Sequence, residues 1–435
     1  MDGARAAYPR SVLLALGLAL LLYAAVWALS QHKLIYTDEV VFARDMASIA
    51  GGDWSAPGIP HPPLYTSLGG LAVRIFGANL PAMRLAGALS FALTLALIPL
   101  ACAALLPGAP PRTPWVAAII ALGLYAIHPL AVQGSLLLDI DNTIFTPAML
   151  LFVALLARSE EWPIGRRAAA VALSFALMLW TKLLPGALVV TAAAAAVTVW
   201  RRRGLAGASL GLALGGLLFA GTLLLVAQAT GFPLAKFQTT FNRVSAPASG
   251  GGGKLVSRLV MGGGITLVWL AIPFVLLWLA ALWGRLRSFF RTWRAERIDI
   301  AFAAALGGLL LFSAGNELPM GFPRYHYPLL VLMIIPVADG LARALGEIRD
   351  QGSGIRGQAS ESEGAEAKSI RKGPGWRWLA GLALAAALLF AVFQPDPLLP
   401  QYLLTFETTS MAARARGAAG ALALPLLALA GAAAL

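Results

Sequence analysis

Two acidic pairs, Asp38-Glu39 and Asp139-Ile140-Asp141, stand beside long apolar runs in this sequence. A carboxylate held near a bilayer surface has the chemistry of a general base for an incoming hydroxyl, worth about 10²–10⁴-fold in rate. Asp38-Glu39 reads equally well as a helix start: Thr37 and Asp38 suit an N-cap, and acids in a first turn are favoured by the helix dipole. An Asp-x-Asp can hold a divalent cation through oxygen ligands. It can also simply cap the following helix through Asp141 or Asn142.

Between the pairs lies His61-Pro62-Pro63-Leu64-Tyr65. Each proline fixes its own φ and restricts the residue before it, so this is a rigid corner. It either returns the chain to a membrane with Tyr65 as an interfacial aromatic, or sets His61 against a phosphate. Lys182 and Arg324-Tyr325-His326-Tyr327 add cations, a titratable ring and two phenols. Arginine matches phosphate oxygens well, and an aromatic belt with a snorkelling arginine is the plainer reading. Together these residues offer acids for a hydroxyl nucleophile and cations for a lipid-phosphate leaving group.

What must position them is helical and apolar. The 435 residues are 59% hydrophobic and 12% charged, with mean hydropathy +0.77, and soluble domains carry about twice that charged fraction. Repeated apolar runs of roughly 20 residues suit a ~30 Å hydrocarbon core. Backbone groups in lipid must be satisfied internally, which leaves helices or a closed barrel. Leu/Ala runs without alternation exclude the barrel, so the expected fold is an all-α polytopic bundle of about 11–12 spans. The formal charge of +13 is no sign of nucleic acid, because the arginines gather in alternate loops, the positive-inside pattern. Cys102 is the sole cysteine and lies in an apolar run, so no disulfide forms within the chain.

The spans are expected at about 11–30, 85–106, 115–132, 142–157, 168–182, 186–200, 205–228, 261–283, 298–313 and 328–345. An eleventh follows at 376–393 and a weaker twelfth at 411–435. The first span is read as retained rather than cleaved. Residues 31–84 form a first external loop with short interfacial helices. Residues 346–375 are rich in Gly, Ser, Glu and Lys and read as a disordered cytoplasmic linker. With Arg5 and Arg10 inside, Asp38, Glu39, Asp45, Asp53, Asp139, Asp141 and Glu317 all face outward. Mid-span charges, which a transporter or flippase would use, are nearly lacking. That rival and a non-catalytic envelope scaffold remain alternatives to an enzyme.

The order of these motifs resembles the GT-C membrane glycosyltransferases, the group of dolichyl-phosphate-mannose–protein mannosyltransferases and lipid A aminoarabinose transferases. The matching residues are Asp38-Glu39 after the first span, Phe42-Ala43-Arg44-Asp45-Met46, Gly52-Asp53-Trp54 and His61-Pro62-Pro63-Leu64-Tyr65. Arg74-Ile75-Phe76-Gly77, Arg84-Leu85, Leu138-Asp139-Ile140-Asp141-Asn142 and a late Arg324-Tyr325 with Pro328 continue the series. The resemblance covers about 11–345 and implies a sugar moved from a polyprenyl-phosphate carrier to an acceptor hydroxyl on a protein, lipid or glycan. It implies an inner-membrane enzyme whose site faces the periplasm or the extracellular side. Asp38 becomes the base, and Glu39 orients the reacting groups. His61, Tyr65, Asp139, Asp141, Lys182, Arg324 and Tyr325 become substrate contacts. His61 stands where some relatives have lysine. No cofactor is required, and a divalent cation at Asp139 and Asp141 is an open option.

Overall fold

The computed structural model of the chain describes residues 9–29, 31, 38–55, 61–107, 112–140, 143–182, 186–235, 272–315 and 328–357. Thirteen α-helices and no strand occur among them. They are α1 (Arg10–Leu29), α2 (Asp38–Ala50), α3 (Leu64–Phe76), α4 (Leu80–Leu105), α5 (Thr113–Ile127), α6 (Pro129–Leu136) and α7 (Phe145–Arg158). After a 3₁₀ turn at Ser159–Glu161 come α8 (Ile164–Thr181), α9 (Gly186–Arg201), α10 (Leu205–Thr230), α11 (Ile272–Thr292), α12 (Ile298–Gly315) and α13 (Leu329–Gly357).

Four of these, α1, α4, α8 and α10, are long and apolar enough to cross a membrane by length and composition. The lipid-type surface is visible in α1 and α10, whose Leu14, Leu18, Leu21, Leu217 and Leu225 are each more than three-fifths exposed. In water such a surface would be unstable, and in hydrocarbon it is the expected exterior. The polytopic all-α fold is therefore the one expected.

Two shifts from the expected boundaries stand out. The run read as one span over 115–132 breaks at His128. Pro129 disfavours the helical region for its predecessor, and His128 is extended at φ −66°, ψ 121°. The chain then restarts as the short α6. α13 continues to Gly357, so the first residues of the segment read as disordered are helical. The stretch 343–349 holds Arg, Ala, Leu, Gly, Glu, Ile and Arg, mostly good helix formers, and a helix already under way extends at little cost. The rest of that linker, the eleventh and twelfth expected spans and residues 261–271 lie outside the described residues.

The starts and finishes of α4 and α7 give the bundle two chemically distinct ends. α4 begins at Asn79, whose Oδ1 accepts from the Ala82 amide at 2.9 Å, and it finishes at Leu105. α7 begins next to Asp139 and finishes at the 3₁₀ turn bearing Glu160. The helix starts near Arg84 and Asp139 thus define one end, and Leu105, Glu160 and the arginine-rich turns define the other.

Interlocking aromatic rings hold the first of these ends together. Tyr23 of α1 stacks on Phe91 of α4 at 4.0 Å, and Phe91 stacks on Tyr125 of α5 at 5.0 Å. The Tyr23 hydroxyl donates to Ser135 Oγ of α6 at 2.9 Å. Since lipid is as apolar as these side chains, such close packing and interhelical hydrogen bonds carry the association.

Candidate functional site

α2 presents its acids because it starts on them. Asp38 and Glu39 occupy its first turn, the position where the helix dipole favours carboxylates. That is the bland reading of the pair, and the geometry goes further. Glu39 is only 7% exposed. Its Oε1 accepts from the backbone amide of Leu138 at 2.8 Å, across 99 positions of sequence. The loop between α6 and α7, which carries Asp139, is thereby tied to the head of α2. Asp38 is placed as the first residue of that helix, and its side chain lies outside the described residues.

α3 supplies the next side chain. The double-proline corner ends in Pro63, whose carbonyl accepts from Thr66 Oγ1 at 3.1 Å, and α3 then packs against α2. Gly70 makes the close approach feasible: a Cβ there would come within 3.1 Å of the Met46 carbonyl and 3.0 Å of Ile49 Cγ2. Tyr65 is fully buried and meets Phe42 edge-on at 5.5 Å. Its hydroxyl lies beside Thr143 and the Asp139 main chain without a hydrogen bond of good geometry among the described residues. Burial raises the phenol above its ordinary pKa, and the neighbouring Asp139 and Glu39 carboxylates push it the same way. It stays a neutral donor at any working pH.

The second acid sits on a loop pressed onto α4. Asp139 is 6% exposed, and the Thr143 hydroxyl donates to its carbonyl. Gly87 of α4 is required here, because a Cβ at that position would strike the Ser135 carbonyl. Arg84, one turn earlier on α4, is 2% exposed. It feels the field of both Glu39 and Tyr65 and approaches the Gln31 carbonyl at 3.4 Å. Glu39, Tyr65 and Asp139 are thus brought together, with a buried arginine added to them.

The remaining predicted residues are placed as follows. His61 is half-buried at the corner before α3. Lys182 is 2% exposed and ends α8, its amide donating to the Met178 carbonyl at 3.1 Å. As α8 starts beside Glu160, Lys182 lies at the end of the bundle where Asp139 sits. Asp141, Arg324 and Tyr325 lie outside the described residues. No group of three or more His, Cys, Asp or Glu that could hold a metal occurs among the described residues.

Three buried groups escaped the sequence reading as site members. Arg84 was noted only as the opening of a span, although a charge inside an apolar run is itself a signal of function. Asp45, fully buried on α2, entered only as an outward acid and as part of the Phe42–Met46 run. His128 is fully buried and meets Phe274 edge-on at 5.7 Å, and its only signal was the proline after it.

No protein-family model matches the sequence, and a comparison with curated proteins finds no match. Solved structures do match. A crystal structure of ArnT from Cupriavidus metallidurans bound to undecaprenyl phosphate superposes with a TM-score of 0.55 at 17% identity, covering 97% of this chain and 77% of that one. The same ArnT in the apo state gives the same values. With identity that low, the likeness concerns architecture. The chain has an ArnT-like all-helical fold.

Proposed function

We propose that the protein is an integral membrane glycosyltransferase that moves a sugar from a polyprenyl-phosphate carrier to an acceptor hydroxyl. The observation that carries this reading is the Glu39–Leu138 hydrogen bond. Within a fold shared with a structure that holds undecaprenyl phosphate, it ties the acid-bearing start of α2 to the Asp139 loop.

Each residue has a role that its chemistry suits. Asp38, at the start of α2, takes the proton from the acceptor hydroxyl as that oxygen attacks the anomeric carbon in line. The bond to the carrier phosphate breaks as the new glycosidic bond forms, and the configuration inverts. Glu39 fixes the angle between α2 and the Asp139 loop, so that base and acceptor meet in register, a positioning role whose loss by even ~1 Å costs on the order of 10²-fold. Tyr65 and Asp139 line the acceptor side. Lys182, His61, Arg324 and Tyr325 serve the carrier phosphate, where charge develops as it leaves. A lipid phosphate is already a good leaving group, so neither a nucleotide nor a phosphate-cradling loop is needed.

Positive charge outside the acid site favours a cytoplasmic arginine-rich end and a site facing the periplasm or extracellular side. The decisive experiment gives purified protein labelled prenyl-phosphate sugars in vesicles. Turnover in the wild type and none in Asp38→Asn, at equal expression and insertion, supports the proposal. Near-normal turnover in that variant removes Asp38 as the base. Vectorial movement of the lipid without sugar transfer makes the protein a transporter.

A further inference from the structure

The arginine-rich end of the bundle contains a second built site. A cavity of about 250 Å³ opens between the α9–α10 turn and the α11–α12 turn, lined by Trp200, Arg201, Arg203, Trp293, Arg294 and Ala295. Its lining holds three arginines, two tryptophans and no acid. Arg201 is committed: its Nε and Nη2 donate to Glu160 at 2.6 and 2.8 Å, and its Nη1 donates to the Ala295 carbonyl. The guanidinium groups of Arg203 and Arg294 are exposed and make no ion pair among the described residues. A larger cavity of about 390 Å³ shares Arg201 and Arg203 and continues to Arg297 and Arg343, where Glu161 and Glu296 also line it.

The wall beside these cations is aromatic and faces outward. The rings of Trp200 and Trp293 lie 6.3 Å apart at 30°, and the Trp200 indole donates to the Trp293 carbonyl at 3.3 Å. Trp200 is 52% exposed, and Trp293 and Phe290 are each 61% exposed. Indoles placed so are the side chains of a bilayer interface, with one edge in hydrocarbon and one in water. Both turns that build the cavity are also strained. Arg202 and Trp293 have φ of 52° and 51°, the only non-glycine residues at positive φ among the described residues. Bulky side chains rarely adopt that conformation, and it persists where the surroundings enforce it.

We infer that this cleft binds the phosphate headgroup of an anionic glycerophospholipid, with the acyl chains lying over Trp200, Trp293 and Phe290. Arg203 and Arg294 contact the phosphate, and Arg201, held by Glu160, sets the floor. Basic pockets between membrane helices are suited to such headgroups, and guanidinium groups match phosphate oxygens in paired hydrogen bonds. Charge in a loop would be enough for orienting the chain, whereas an open cleft that pairs arginines with an indole wall on strained turns fits a ligand with a charged head and an apolar tail. Free phosphate would leave the exposed indole wall without a role. The cleft is separate from the proposed transfer site, since α4 rises roughly 31 Å between Arg84 and Leu105.

Native mass spectrometry of the full chain, released from nanodiscs of phosphatidylglycerol mixed with phosphatidylcholine, tests this. The wild type should retain phosphatidylglycerol selectively. Arg203→Gln/Arg294→Gln should weaken that retention roughly 10–30-fold while thermal unfolding and sugar transfer stay unchanged. Equal retention of the two lipids, or selective retention that survives the double variant, overturns the inference. Displacement of phosphatidylglycerol by inorganic phosphate at matched concentration makes the site one for free phosphate and overturns it as well. Should the double variant unfold, Arg203→Gln alone, at an exposed position, is held to the same criteria. Lipid retention and thermal unfolding do not depend on turnover at Asp38, so failure here and failure of the transfer reading are distinguishable.

Discussion

Glu39 and Glu160 are both buried carboxylates, one at each end of the bundle, and their surroundings are built on opposite principles. Glu160 is gripped by cations, accepting from Arg201 at 2.6 and 2.8 Å and from Arg297 at 3.0 Å. Arg297 reaches on to Glu161 at 2.6 Å. Glu39 accepts from a main-chain amide and shares its neighbourhood with another acid, Asp139, a buried phenol and the buried Arg84. The first arrangement neutralises charge and locks helix ends together. The second gathers two acids and a phenol around one buried arginine, a mixed set of charges of the kind found where protons are moved.

The comparison is broken most sharply by Asp38→Asn, which should lower transfer about 10²–10⁴-fold with the protein still folded. That loss is read from turnover of a labelled prenyl-phosphate sugar. Glu160→Gln should do the reverse. It leaves Arg201 and Arg297 buried without their counter-charge and costs about 3–5 kcal/mol of stability, seen as a lowered thermal transition in detergent. Transfer per folded molecule should be nearly unaffected. If Glu160→Gln instead abolished transfer with stability intact, the division of labour between the ends would be wrong.

Glu39→Ala comes next. It strands the Leu138 amide, a loss of about 1–3 kcal/mol, and if that energy holds the reacting geometry, transfer falls roughly 10–100-fold. Glu39→Gln keeps an acceptor oxygen and should restore part of the rate. Unchanged kinetics in Glu39→Ala would reduce Glu39 to a helix-start residue.

The same contrast has a pH signature. Burial opposes the charge of Glu160, but hydrogen bonds from Arg201 and Arg297 outweigh it and hold the carboxyl below its ordinary value of 4.5. A folded value below the unfolded one means its contribution is fully present above about pH 4.5 and lost as pH falls through the lower folded value. The thermal transition should therefore be flat from neutrality to near pH 4.5 and drop below it, and Glu160→Gln should lose that drop. The smallest effect is expected from Tyr65→Phe. Its hydroxyl is buried without a well-formed hydrogen bond, so stability should change by less than about 1 kcal/mol in a thermal melt.

Much of the helix layout was legible because apolar runs end sharply where charge begins. Runs expected at 186–200, 205–228 and 298–313 became α9, α10 and α12 with ends moved by two residues or fewer. The break at His128 was misread because hydropathy does not register a backbone turn. Within the site, the acids were legible as chemistry-bearing types at the starts of helices, as was Tyr65 behind its two prolines. Their mutual arrangement was not: the Glu39–Leu138 bond spans 99 positions, and no local pattern encodes it. Arg84 was overlooked because its meaning depends on what surrounds it.

Composition and periodicity by themselves determined that the chain is a helical membrane bundle, and loop charge divided it into an acidic and a basic end. These are additive properties, each residue contributing its own transfer free energy or charge whatever its neighbours. Which carboxylate is gripped by two arginine side chains and which bonds a distant main-chain amide beside a second acid was decided only by tertiary structure. Pairing depends on distances between residues far apart in the chain, and packing at positions such as Gly87 and Gly70 sets those distances.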